Sequence, residues 1–295
     1  MMNILRHLFF IICFILPSFY AHAATTTEEY SLIINLAGKQ RMLTQKMVKE
    51  ALLIFTGTGG EKNRQDLKNT VELFLKTLNG LRDGDNSLGL SRTTSQSIKT
   101  RIDVIKLEFN KVEFIFKRII AGEMPSRDAI MEIAEKNLVI LDIMDAVVGI
   151  YEQESREVAQ KNKAFLGIEI NISGKQRMLS QKMAKEALLI YVDIDSRKNK
   201  RALCKTYKHF DKALKGLKYG DGELGLPGTT EKNIAQQLDS VMKTWRKLEP
   251  IVERSCDIMV DKISREEIET ISALSALLLN GMDKTVTMYE NLGRR

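Results

Sequence analysis

Apolar residues recur every three to four positions along most of the chain, a spacing that is typical of amphipathic helices. In the first half the pattern predicts four helices, over about residues 27–56, 62–82, 94–121 and the stretch after Ser126. Thr93 or Thr94 is the predicted N-cap of the third helix, and Ser126 that of the fourth. Because short connections favour antiparallel neighbours, we expect an up-down four-helix bundle.

The second half of the chain repeats the first. The 17 residues from Gly38 to Ile54 return 136 positions later as Gly174 to Ile190, and 15 of them are identical. After a two-residue insertion the match resumes, with Met144-Asp145 and Tyr151-Glu152 corresponding to Met282-Asp283 and Tyr289-Glu290. Such a repeat predicts two copies of one fold. The expected fold class is therefore all-α, with two tandem four-helix up-down bundles.

The amino terminus has the pattern of a secretory signal peptide. Arg6 precedes an unbroken apolar run from Leu8 to Leu16, and Ala21-His22-Ala23 fits a small-x-small cleavage site. The run is shorter than the ~20 residues that span a bilayer. We expect cleavage after Ala23 and a periplasmic protein. The expected domains are the signal peptide, residues 1–23, and two bundles, residues 24–160 and 161–295.

The junction between the repeats leaves two arrangements open. Residues 150–166 contain no glycine or proline, so the fourth helix of the first repeat is able to continue into the second repeat. That continuation would stack the bundles end to end. A sharp turn near Gln160 to Lys163 would instead lay them side by side.

The repeated first helix has a face that its own bundle does not explain. At ~100° per residue, the core stripe consists of Leu32, Leu36, Leu43, Met47 and Ile54. A solvated arc holds Asn35, Lys39, Lys46 and Lys49. A third arc holds Ile34, Gly38, Arg41, Gln45, Val48 and Leu52, copied as Ile170, Gly174, Arg177, Gln181, Ala184 and Leu188. We expect another helix to cover this arc, with Gly38 allowing its close approach.

Arg41 and its copy Arg177 are the candidate ligand-binding residues. An arginine at a seam between helices is costly to desolvate without an anionic partner. The guanidinium fork suits planar oxyanions and carboxylates. If two copies of the helix pair, the two arginines repel each other, and one bound anion would relieve the repulsion. The alternative is that each arginine pairs with a protein carboxylate or reaches solvent.

The segment Gly38-Lys-Gln-Arg-Met-Leu-Thr-Gln-Lys-Met and its copy from Gly174 resemble the signature of PilJ-type sensor domains. These are the N-terminal extracytoplasmic domains of type IV pilus chemotaxis transducers and of nitrate/nitrite sensor kinases. The second repeat also matches the family's Gly-Leu-Pro loop and late helix-3 tryptophan, at Pro227 and Trp245. The first repeat has Ser91 and Phe109 there.

In the family's nitrate sensors, the arginine of a Gly-x-x-Arg motif binds nitrate at a dimer seam. The resemblance therefore implies an anion site formed by Gly38, Arg41, Gly174 and Arg177, and we expect Gln45 and Gln181 to add secondary hydrogen bonds. Between the glycine and the arginine this chain has Lys39-Gln40, whereas the nitrate kinases have residues similar to Ser-Leu at these two positions.

Composition narrows the choice of partner. The net charge is +7, and export would separate the chain from nucleic acid, so we expect no nucleic-acid partner and the charge favours small anions or an anionic membrane surface. The mature chain keeps one histidine and lacks a metal-ligand motif, a nucleophile elbow or a phosphate loop, so we expect no metal, no cofactor and no enzymatic activity. Cys204 and Cys256 remain after cleavage, either as a disulfide or as two buried thiols.

The sequence thus predicts a periplasmic sensory protein for a small oxyanion, nitrate or nitrite first, that signals through a membrane-bound sensor kinase or chemoreceptor. Side-by-side bundles would let Arg41 and Arg177 share one site, whereas end-to-end bundles would need a homodimer with separate sites. The alternative function is a structural or assembly protein of the cell envelope, whose repeated seam holds subunits together without a ligand.

Overall fold

The computed structural model describes residues 26–58, 60–159, 166–260 and 262–293, and the predicted signal peptide lies outside them. The described residues form eight α-helices and no strands, which confirms the all-α prediction. The first repeat contains α1 (Thr27–Phe55), α2 (Gly60–Asp83), α3 (Gln96–Ile120) and α4 (Arg127–Ala159). The second contains α5 (Gly167–Tyr191), α6 (Ser196–Tyr219), α7 (Lys232–Cys256) and α8 (Arg265–Gly293).

Local hydrogen bonds explain where the helices begin. The Ser126 hydroxyl accepts a bond from the N–H of Ala129, which confirms the predicted cap of α4. The prediction for α3 was wrong, because that helix is preceded by Ser95 instead of Thr93 or Thr94. Oγ1 of Thr93 accepts the N–H of Ser95 and so stabilises the turn before the helix.

Within each repeat, every helix packs against the next one and the fourth packs against the first, as in an up-down bundle. Aromatic rings fill equivalent places in the two cores. Phe74 and Phe109 have ring centroids 5.0 Å apart, and Phe210 and Trp245 have centroids 4.6 Å apart. In the second repeat a disulfide between Cys204 and Cys256 also joins α6 to the end of α7.

The two repeats lie side by side, with α1 along α5. Arg41 of α1 reaches Asn171 of α5, and Lys49, two turns later, reaches Gln181. Because early residues meet early ones and late residues meet late ones, the two helices run parallel. We call this contact the seam. The turn proposed at residues 160–163 lies outside the described residues.

The seam covers the third arc of the first helix, as predicted. Ile34, Val48 and Leu52 are each at most 1% exposed. The arc assigned to solvent was wrong in part, because Lys49 is only 6% exposed and lies against α5. Within the described residues, no helix is both long and apolar enough to cross a bilayer.

Candidate functional site

Arg41 is buried at the seam and bonded to both repeats. Only 1% of the surface of Arg41 is exposed. Nη1 donates to Oδ1 of Asp145 in α4 at 2.6 Å, and Nη2 donates to Oδ1 of Asn171 in α5 at 2.6 Å. The arginine therefore ties its own bundle to the other one.

Arg177 repeats this arrangement from the other side. It is also 1% exposed. Nη1 donates to Oδ1 of Asp283 in α8 at 2.7 Å, and Nη2 donates to Oδ1 of Asn35 in α1 at 2.7 Å. The seam thus has an approximate two-fold symmetry. We call its six polar residues the arginine cluster: Arg41, Asp145, Asn171, Arg177, Asp283 and Asn35.

Each asparagine of the cluster is fixed by a glutamate of the opposite repeat. Nδ2 of Asn171 donates to Glu152 at 2.7 Å, and Nδ2 of Asn35 donates to Glu290 at 2.8 Å. Because the amide nitrogen is held in this way, the amide oxygen points to the arginine. Asn35 was predicted to face solvent, and that prediction was wrong because Asn35 bonds to Arg177 of α5 and to Glu290 of α8.

The two guanidinium groups converge above Gly38. A Cβ atom built on Gly38 would lie 3.3 Å from Nη2 of Arg41 and 3.9 Å from Nη2 of Arg177. On Gly174, a Cβ would lie 3.3 Å from Nη2 of Arg177. The glycines were expected to admit the backbone of a partner helix, but the space above them holds guanidinium nitrogens.

Burial disfavours the charged forms of the ionisable residues in the arginine cluster, and for Arg177 the like charge of Arg41 adds to this effect. Burial lowers the pKa of Arg177, and repulsion from Arg41 lowers it further, while Asp283 acts in the opposite direction. Burial disfavours the charged form of Asp145, but Arg41 and Lys175 outweigh it and hold the pKa of that carboxyl below its usual value. Burial raises the pKa of Glu152.

Each arginine keeps unused donor capacity. A guanidinium has five N–H donors, and the buried Nε of Arg41 and of Arg177 has no hydrogen-bond acceptor among the described residues. An unsatisfied buried donor costs ~1–3 kcal/mol. Two converging cations with unpaired donors are suited to a small acceptor with several oxygens.

The predicted glutamines do not join the arginines. Nε2 of Gln45 donates to Thr44, and its buried Oε1 has no partner among the described residues. Gln181 accepts a bond from Nζ of Lys49 and donates to the backbone oxygen of Ser275. These two side chains therefore form a separate polar level, one turn beyond the arginine cluster.

Sequence reasoning did not identify the partners of the arginines, although it contained a signal for them. Asp145 and Glu152 both recur 138 positions later, as Asp283 and Glu290. A spacing of seven places each pair on one face of a helix. Two repeated carboxylates on one face, and a repeated arginine on another, would have indicated ion pairs across the bundle.

Comparison with known proteins identifies the family. The model of the PilJ family, described as the N-terminal region of type IV pili methyl-accepting chemotaxis transducers, matches residues 23–125 and 168–264. These segments make up more than half of the chain. The chain belongs to the PilJ family. Each PilJ match contains one arginine of the cluster, Arg41 or Arg177.

A curated relative is the methyl-accepting chemotaxis protein McpN of Pseudomonas aeruginosa, which is 29% identical over 119 residues. These residues are 40% of this chain and 21% of that protein, so the match spans about a fifth of the relative's length. Both findings place the PilJ repeats among sensory domains of chemotaxis transducers. At the level of the family, this role is non-catalytic.

Proposed function

We propose that this chain is a periplasmic sensory protein that binds one small oxyanion, nitrate or nitrite first, between Arg41 and Arg177. The observation that carries the proposal is their convergence over Gly38, with both Nη2 atoms within 4 Å of the place of a Cβ. The parallel seam brings the two arginines together within one chain, so this site does not need a second copy.

The anion would act as a clamp between the repeats. Its negative charge offsets the repulsion that lowers the pKa of Arg177, and its oxygens accept the unused Nε–H donors. Binding then favours one relative placement of α1 and α5, which is how a ligand shifts a conformational equilibrium. We propose that a membrane-bound chemoreceptor or sensor kinase reads this placement.

A separate observation favours a second candidate function. Asp145 and Asp283 already pair with the two arginines, so the cluster has carboxylates in place of an external anion. In that case the seam is a structural element of an envelope assembly protein, and the arginine cluster holds the repeats together without a ligand.

Isothermal titration of the exported chain with sodium nitrate, nitrite and chloride separates the two functions. We expect one nitrate or nitrite per chain, weaker chloride binding, and loss of the whole signal in both Arg41→Ala and Arg177→Ala. Arg41→Lys keeps the charge without the fork, so it separates recognition of the anion from folding. Absence of oxyanion binding in a sample with native helicity would overturn the sensory proposal and favour the structural one.

A further inference from the structure

A groove separate from the arginine cluster lies where the first repeat meets the second, between α4, α5 and the start of α6. Its volume is about 240 Å³, slightly below the ~300–1,000 Å³ of drug-sized ligand sites. It therefore suits a small metabolite. Its apolar lining residues are Met131, Ala134, Leu138, Leu189, Ile194 and Ala202.

The charged lining of the groove is balanced between the two signs. It consists of three lysines and three carboxylates: Lys182, Lys185, Lys198, Glu135, Glu186 and Asp195. Lys182 and Glu186 pair with each other. Among the described residues the structure gives Lys198, Glu135 and Asp195 no ion-pair partner. Both signs are therefore available to a ligand, which favours a zwitterion over a simple anion.

Lys185 places a buried amino group at the wall of the groove. It is 2% exposed, and among the described residues its Nζ donates to the neutral Oδ1 of Asn137, at 2.9 Å. An ammonium group carries three N–H donors, so this partner leaves donor capacity. Burial lowers the pKa of Lys185 and Glu186 acts in the opposite direction, so a ligand carboxylate would stabilise the protonated amine and use those donors.

The turn between α5 and α6 holds a carboxylate in an unfavourable backbone conformation. Asp193 and Asp195 have φ values of 57° and 47°, in the left-handed region that favours glycine. The corresponding positions of the first repeat are Gly57 and Gly59. Strained residues of this kind cluster at binding sites, and Asp195 is the one that lines the groove.

The α4 wall of the groove is also specific to this junction. Allowing for the two-residue insertion, Glu135 and Asn137 correspond to Ala273 and Ser275 in α8. The duplicated fold therefore does not require either side chain. The rim carboxylate and the acceptor for the buried lysine are both features of this contact alone.

We propose that the groove binds a small zwitterion of the α-amino-acid class with an apolar side chain. The ligand carboxylate lies against Lys185, its ammonium group against Asp195 and Glu135, and its side chain along the apolar walls. This site is independent of the proposed oxyanion site, since no residue of the arginine cluster lines it.

The first test is isothermal titration of the exported chain with L-leucine, and with 4-methylpentanoate and 3-methylbutylamine, which lack its amino and carboxyl groups. We expect saturable binding of L-leucine, and binding at least about tenfold weaker for each analogue, since each loses a charge-assisted interaction. If L-leucine does not bind, or if the analogues bind equally well, the proposal is wrong.

The duplication provides a matched control. Lys185→Met should abolish the L-leucine signal, while Lys49→Met, which removes the equivalent buried lysine of the other repeat, should leave it unchanged. Equal loss in the two variants would overturn the proposal. L-leucine binding that persists in Arg41→Ala would show that this site does not depend on the oxyanion site.

The turn offers a second pair of variants that does not depend on the buried lysine. Asp195→Gly and Asp193→Gly remove the same backbone strain, and only Asp195 lines the groove. We expect Asp195→Gly to weaken L-leucine binding by about tenfold and Asp193→Gly to leave it unchanged. Unchanged binding in Asp195→Gly, or equal loss in both variants, would contradict the assigned contact with the ligand ammonium.

Discussion

The two copies of the first helix are nearly identical in sequence, yet they have the same surroundings at one level and different surroundings at the next. Around Arg41 and Arg177, equivalent hydrogen bonds agree in length within about 0.1 Å. About two turns after each arginine, the surroundings differ. Lys49 bonds to Gln181, whereas Lys185 bonds to Asn137.

The repeated sequence makes the arginine cluster symmetric, but it does not make the lysine level symmetric. Every member of the arginine cluster has an equivalent member in the other repeat, so the seam repeats itself about an approximate two-fold axis. At the lysine level the acceptor positions differ, because Ser275 replaces Asn137. Lys49 therefore crosses the seam to a glutamine, and only Lys185 faces the groove.

The largest expected effect concerns a feature that only the second repeat has. Its disulfide joins residues separated by 52 positions, and the first repeat has Lys68 and Ile120 there. Replacing both cysteines by alanine should lower the free energy of unfolding by about 3–4 kcal/mol, since the bridge restricts the unfolded chain. Urea denaturation followed by circular dichroism measures this loss.

The control for the disulfide is the reductant. Dithiothreitol should destabilise the wild-type chain by a similar amount and leave the double-alanine variant unchanged. If the variant loses less than ~1 kcal/mol, well below the usual range for such bridges, the bridge contributes little and the two repeats are more alike in stability than their sequences indicate.

The second prediction tests the symmetry of the arginine cluster. Asp145→Ala and Asp283→Ala each leave a buried arginine without its carboxylate. Removing one partner of a fully buried pair costs ~3–5 kcal/mol, and since these carboxylates are about half exposed we expect about 2–3 kcal/mol for each. Urea denaturation should give similar losses for both, and losses that differ by more than about 1 kcal/mol would show that the symmetry is only geometric.

The sequence pattern was sufficient to predict the helices and the helix face on which Arg41 lies, and the internal repeat was sufficient to predict the duplication. The pattern was insufficient to predict which residues contact that face, because Asp145 is 104 residues away from Arg41 and belongs to a different helix. Lys49 was assigned to solvent for the same reason, since its burial depends on the position of α5. Periodicity describes one helix, whereas these contacts depend on how several helices pack.

The third prediction uses pH to separate the two lysine environments. Burial lowers the pKa of Lys49 to about 8 and that of Lys185 to about 7. Above these values the unfolded chain binds more protons than the folded chain, so stability should rise with pH from about 7 toward 10.5, by at most ~1.4 kcal/mol per pH unit for each lysine. Between pH 7 and 8, Lys185→Met should remove more of this rise than Lys49→Met. Urea midpoints measured at pH 7, 8 and 9 test the order, and the reverse order would contradict the assigned environments.

The smallest expected effect distinguishes the two glycines of the seam. Alanine in a helix is favoured over glycine by ~1 kcal/mol, and at either position its methyl group would press on one guanidinium at 3.3 Å. On Gly38 the methyl group would also contact Arg177 at 3.9 Å and so occupy the space between the two cations. We expect the two variants to have similar free energies of unfolding, since each methyl group makes the same 3.3 Å contact and the 3.9 Å contact is ordinary van der Waals packing. The methyl group on Gly38 would exclude an anion held by both arginines, so Gly38→Ala should weaken nitrate binding more than Gly174→Ala does. Equal nitrate binding in the two variants would mean that the guanidinium groups move apart freely and do not form one site.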